Sequence, residues 1–98
     1  MLIRIVKMTF RPEETAQFLA MFEEIKDKIR QVDGCEYLEL MQDVDNPDSF
    51  STYSKWRDAA ALEAYRQSDL FATVWAKTKA MFAAKPIAFS LKTHTVVD

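Results

Sequence analysis

The strongest constraint on how this chain folds is a repeated switch in the period of its apolar residues. Phe18, Phe22, Ile25 and Ile29 recur at three- and four-residue intervals, the stripe of an amphipathic helix. A second helical stripe runs through Phe71, Val74, Trp75, Thr78, Met81 and Phe82. Strand-like stretches alternate with these stripes. They are Leu2 to Phe10, broken by Arg4 and Lys7, then Cys35 to Asp43, Phe50 to Arg57, and Ile87 to Val97. The punctuation agrees with this division. Pro12 suits a first helical position, and Glu13 and Glu14 favour the positive end of the helix it opens. Gly34 tolerates the left-handed conformation that follows a helix. Asp45-Asn46-Pro47-Asp48-Ser49 reads as a turn, so the strands around it form a hairpin. Asp58 is placed to cap a helix over Ala59 to Arg66, Ser68 or Asp69 to cap the next, and Lys85-Pro86 to stop it.

The order is therefore strand, helix, strand, strand, a helix in two pieces, strand. It predicts an α+β fold of the ferredoxin-like βαββαβ type, an antiparallel sheet with helices over one face. Ninety-eight residues fit one domain over 1–98. In the hairpin, Cys35, Tyr37, Glu39 and Met41 fall on one side, and Phe50, Thr52, Ser54 and Trp56 alternate with Ser51, Tyr53, Lys55 and Arg57. A sheet covered on one face should be polar on the other. Here both faces carry apolar groups, most plainly Ile87, Phe89 and Leu91 against Ala88 and Val96. Two such sheets meeting face to face in a homodimer would bury that surface.

Scarce residues narrow the chemistry. One His (His94) excludes the two-His zinc motifs, one Cys (Cys35) excludes an internal disulfide or a multi-thiolate site, and one Gly excludes a Gly-rich phosphate loop. No metal and no cofactor are expected. Thirteen basic residues against fifteen acidic leave no basic stripe for nucleic acid. No apolar run approaches the ~18 residues of a membrane span, and no signal-peptide cleavage pattern opens the chain. A cytoplasmic protein without membrane attachment is the expectation. The aromatic content of 12% is generous for a short chain, and it suits a core, a pocket wall or a subunit interface.

Trp56-Arg57-Asp58 through Leu62, Tyr65-Arg66-Gln67-Ser68-Asp69-Leu70-Phe71 resembles the signature region of the antibiotic biosynthesis monooxygenase family. The order of elements resembles that family over nearly the whole chain. The resemblance implies a dimeric α/β barrel with a small-molecule pocket between sheet and helices in each subunit. Its relatives include cofactor-independent oxygenases of aromatic polyketides, quinol-type oxygenases and haem-degrading enzymes. The haem-degrading branch carries an Asn on the first strand and a Trp and a His on the later helices. Here Lys7 to Thr9 holds no Asn, the Trp position matches Tyr65 and the His position matches Trp75. An indole N–H only donates and does not ligate iron, so haem degradation is not expected.

The resemblance implies a cofactor-independent monooxygenase of a small phenolic, quinol or anthrone-like molecule. An electron-rich phenolate or enolate reduces dioxygen without metal or flavin. The protein need only bind it, remove a proton and steady the anion. Histidine is the side-chain type suited to proton transfer near neutral pH, which makes His94, the one histidine, the candidate base. Arg57, and with it Arg4, offers planar donors to an anion. Trp56, Tyr65, Phe71 and Trp75 are candidate pocket walls for an aromatic substrate. Each has a plainer alternative: a surface histidine, solvated arginines, aromatics that fill a core. Cys35 reads as a buried inert thiol. The alternative for the whole chain is a non-catalytic barrel protein that binds a small ligand.

Overall fold

The computed structural model describes residues 1–98. Strand β1 (Leu2–Thr9) leads through a 3₁₀ turn at Pro12–Glu14 into helix α1 (Thr15–Arg30). The hairpin β2 (Cys35–Gln42) and β3 (Ser49–Trp56) follows, then helices α2 (Ala59–Arg66) and α3 (Asp69–Lys79), and strand β4 (Ile87–Lys92). The sheet order is β2-β3-β1-β4, with every neighbouring pair antiparallel. This is the α+β, ferredoxin-like βαββαβ arrangement. No helix is long and apolar enough to cross a membrane.

Local signals account for most of the element ends. The Asp58 carboxylate accepts from Ala61 N at 2.8 Å and the Ser68 hydroxyl from Phe71 N at 3.2 Å, capping α2 and α3. In the hairpin turn Asp43 Oδ2 accepts from the backbone N–H groups of Asp45 and Asn46 at 3.0 and 2.9 Å. Thr15 Oγ1 donates to Asp48 Oδ1 at 2.7 Å, which ties the start of α1 to that turn.

Register decides the faces. Arg4 pairs with Ser54, Val6 with Thr52 and Met8 with Phe50, so these residues share the face that meets the helices. The main core lies there. Met8, Phe10, Phe18, Phe50 and Met81 are buried together, with the rings of Phe10 and Phe18 stacked at 4.1 Å. A second cluster joins Cys35, Trp56, Ala61 and Leu62. The opposite face presents Tyr37, Tyr53 and Lys55, whose ammonium lies 5.2 Å from the Tyr37 ring centre. Beside them Ile87, Phe89 and Leu91 are 56%, 43% and 49% exposed, an apolar surface with no cover from this chain.

Three expectations are corrected. First, α1 stops at Arg30, before Gly34. Gly34 does adopt a positive φ of 87°, but it serves the turn into β2. Second, a bulge between Cys35 and Tyr37 shifts the register, so Cys35 pairs with Trp56 and is buried, while Tyr37 pairs with Lys55 on the outer face. The two were expected on one side of the strand. Third, the last strand ends at Lys92 and does not reach Val97. Its ladder with β1 runs from Lys7 opposite Ile87 to Leu2 opposite Lys92 and stops there. Val96 and Val97 lie exposed beyond it.

Candidate functional site

A cavity of about 280 Å³ lies between the sheet and the helices. Its floor is the inward face of the strands: Arg4, Val6 and Met8 of β1, Thr52, Ser54 and Trp56 of β3, Leu38 of β2 and Ala88 of β4. Phe18, Met21, Phe22, Ile25 and Ile29 of α1 close one side. Leu62, Tyr65 and Arg66 of α2, with Phe71, Val74, Trp75 and Thr78 of α3, close the other. Fifteen of the 21 lining residues are hydrophobic, the character of a small-molecule site, and the volume is near the ~300 Å³ lower bound for one.

The aromatic wall is continuous. Trp56 stacks on Tyr65 with ring centres 5.1 Å apart, Tyr65 meets Phe71 edge-on at 5.3 Å, and Phe71 lies parallel to Trp75 at 5.9 Å. Trp75 meets Phe82 edge-on at 5.7 Å. Offset-stacked and edge-to-face contacts of this kind satisfy the ring quadrupoles and hold the rings in place. The Trp56 indole N–H donates to Ser54 Oγ at 3.0 Å, and that hydroxyl reaches Arg4 O at 3.4 Å, so the buried indole is fully paired. Helical spacing puts Phe71, Val74, Trp75 and Thr78 on one stripe of α3, while the period-two strand puts Ser54 and Trp56 on the floor.

The polar groups are few and of one sign. Arg4 and Arg66 are the charged lining residues, and no Asp, Glu, His or Cys lines the cavity. Arg4 Nη1 donates to Ser90 Oγ at 3.1 Å across the β1–β4 pair. Burial, and then the nearby Arg66 guanidinium, lower the pKa of Arg4. Burial, with a smaller contribution from Cys35, pushes the Tyr65 phenol up to about 12. Tyr65 therefore stays a neutral phenol at ordinary pH and is no proton acceptor. The lone thiol of Cys35 is buried and its pKa is raised, mainly by that burial, as an inert thiol's would be. No group of three or more His, Cys, Asp and Glu comes together to hold a metal ion.

The candidate residues divide into two sets. Trp56, Tyr65, Phe71 and Trp75 line the cavity together. Arg57 and His94 do not line it. Arg57 lies just past the end of β3 and turns to Asp33, where Nη2 and Nη1 donate to the two carboxylate oxygens at 3.3 and 3.4 Å. The pair lies over a shallower depression bordered by Val32 and Asp58, and the guanidinium holds the Asp33 carboxyl below its usual range. His94 falls beyond β4, exposed, and shares a 2.7 Å hydrogen bond with Thr95. Arg66 is the lining residue that sequence reasoning missed. At the exposed end of α2 it looks like a solvated helix-terminal arginine, and only the packing of α2 over the sheet carries it to the cavity.

Comparison with known proteins gives this geometry a context. The antibiotic biosynthesis monooxygenase family model matches residues 1–77. No curated protein matches the chain. Among solved structures, an antibiotic biosynthesis monooxygenase superposes with a TM-score of 0.90 at 23% identity, covering 97% of this chain and 100% of that one. A conserved protein from Methanosarcina mazei Go1 gives 0.88 at 19% identity, over 96% and 94% of the two chains. A protein from Mycobacterium tuberculosis also gives 0.88, at 18% identity, over 99% and 98%. At these identities the structural likeness establishes the shared fold, and the family model establishes kinship. On that match over most of its length, the chain belongs to the antibiotic biosynthesis monooxygenase family.

Proposed function

We propose that this protein is a cofactor-independent monooxygenase of a small phenolic, quinol or anthrone-like molecule, working as a homodimer. The observation that carries the reading is the aromatic-walled cavity of about 280 Å³, whose volume and flat ring faces suit a planar aromatic guest. Trp56, Tyr65, Phe71 and Trp75 hold the ring, and apolar walls keep water from the reacting carbon. For an anthrone-like substrate the chemistry is a ring methylene oxidised to a carbonyl. The methylene loses a proton, and the carbanion passes one electron to dioxygen. The radical pair then joins through a carbon–oxygen bond. Loss of water from the hydroperoxide leaves one oxygen atom as the carbonyl and the other in water. All four electrons taken up by dioxygen come from the substrate. The exposed Ile87, Phe89 and Leu91 support the dimer, since a face-to-face sheet pair covers them.

Oxygen uptake with a panel of anthrones and hydroquinones tests this reading, alongside ligand binding followed by tryptophan fluorescence. Substrate-dependent uptake that falls when Trp75→Ala opens the wall is the expected result. Binding without uptake by any panel member would overturn it in favour of a non-catalytic small-ligand-binding protein. The absence of a general base from the cavity lining is the observation that favours this second reading.

A further inference from the structure

The two cationic residues of the cavity have no anionic counterpart within it. Arg4 joins none of the protein's ion pairs. Its one side-chain partner is the neutral Ser90 hydroxyl, so most of its five donors have no protein acceptor. Arg66 pairs only with Glu63, one turn back on the exposed side of α2, at 3.3 Å. Burial first, and then the nearby Arg66 guanidinium, lower the pKa of Arg4. A partly buried cation beside a second cation, facing an apolar cavity, is a cost that the Ser90 hydroxyl and the Glu63 carboxylate offset only in part. We infer that Arg4 and Arg66 form an oxyanion subsite, and that the cavity selects an aromatic ligand whose ring bears an ionised oxygen group, a phenolate or a carboxylate.

This rests on the cavity being a ligand site, and it adds what the oxygenase reading lacks. No lining residue is a competent base: the titratable groups facing the guest are Arg4, Arg66 and Tyr65, with Glu63 reaching Arg66 from outside. A phenolic ligand therefore gives up its proton to bulk water, and the two guanidiniums hold the ionised form. The protein need not carry the proton.

The test uses 4-nitrophenol, whose phenolate absorbs visible light and whose neutral form does not, titrated with pH in the presence and absence of saturating protein. The expected result is a bound pKa about one unit below the free value, which means the phenolate binds about tenfold tighter than the phenol. Arg4→Met or Arg66→Met should shrink the shift and the double variant abolish it. Arg4→Lys, which keeps the charge, should retain part of it. Glu63→Gln, an exposed change that frees Arg66, should enlarge the shift in an undisturbed fold. A second arm compares 2-naphthoate with the neutral 2-naphthalenemethanol. Anion preference in one arm alone supports the subsite and identifies its source as phenolates or carboxylates. Neutral and ionised forms binding equally in both arms overturns the subsite while leaving the cavity reading intact. If no aromatic probe binds, the ligand-site reading falls and the subsite with it.

Discussion

Replacing Gly34 with Ala tests how the hairpin is fastened to the helices. Gly34 holds φ at +87° between α1 and β2. An L-residue there meets the left-handed penalty of about 1–2 kcal/mol. The new methyl would also overlap Ala61 Cβ, a buried atom of α2. The Arg57 guanidinium that pairs with Asp33 would be in ordinary contact with the methyl at 3.5 Å, so the clash is with Ala61 alone. The backbone cannot swing away freely, because Arg57 N donates to Gly34 O at 2.8 Å. Overpacking of this kind costs about 1–3 kcal/mol, and the stiffer unfolded chain gives back about 0.4–1 kcal/mol. The net expectation is a loss of about 1–4.5 kcal/mol, a large share of a typical domain's stability of about 5–15 kcal/mol. Urea unfolding followed by far-ultraviolet circular dichroism measures it, with an unchanged m-value confirming a change in stability alone. Adding Ala61→Gly removes the overlap and leaves the dihedral strain. The double variant should be more stable than additivity predicts by about 1–3 kcal/mol, although a Gly in α2 itself costs about 1 kcal/mol. A Gly34→Ala protein within about 0.5 kcal/mol of the parent, the range of an ordinary surface substitution, would refute the packing argument.

Three further outcomes follow from the same structure. Burial holds the folded-state pKa of Tyr65 at about 12, above the ordinary 10, so its contribution is intact below about pH 10 and lost as pH rises through 12. Stability should decline over that window by up to about 3 kcal/mol more in the parent than in Tyr65→Phe; equal alkaline slopes would contradict it. Phe18→Ala removes the ring stacked on Phe10 at 4.1 Å, and chemical denaturation should show a loss of about 3–5 kcal/mol, with a value under about 1 kcal/mol inconsistent with a packed core there. Phe89→Glu places a charge on the uncovered sheet face, and light scattering should show the proposed dimer dissociate while the circular dichroism spectrum is retained; an unchanged mass would move the interface elsewhere.

How far a sequence can be read is visible in particular residues. Asp58 and Ser68 were legible as caps because a cap acts on an N–H only three residues away. The α3 stripe was legible because helical period alone puts Phe71 and Trp75 on one face. Cys35 was misassigned because a bulge answers to the partner strand, and nothing within Cys35-Glu36-Tyr37 marks it. Thr93 to Val97 has strand-like residues but lies beyond Leu2–Lys92, the last pair of the β1–β4 ladder, so propensity there overstates the strand.

The site divides in the same way. Period, turn chemistry and caps act within a few residues, so the order of elements, the ferredoxin-like class and the aromatic character of one helix face are all legible locally in the chain. Which cations face the cavity depends on residues far apart in the chain. Arg4 on the first strand and Arg66 at the end of α2 meet only when the helices close over the sheet. The same closure leaves Arg57 to Asp33 and His94 to solvent. Long-range packing sets those distances, and charge interactions depend on distance. Which charged groups a ligand would meet is therefore a matter of packing that no local stretch of the chain encodes.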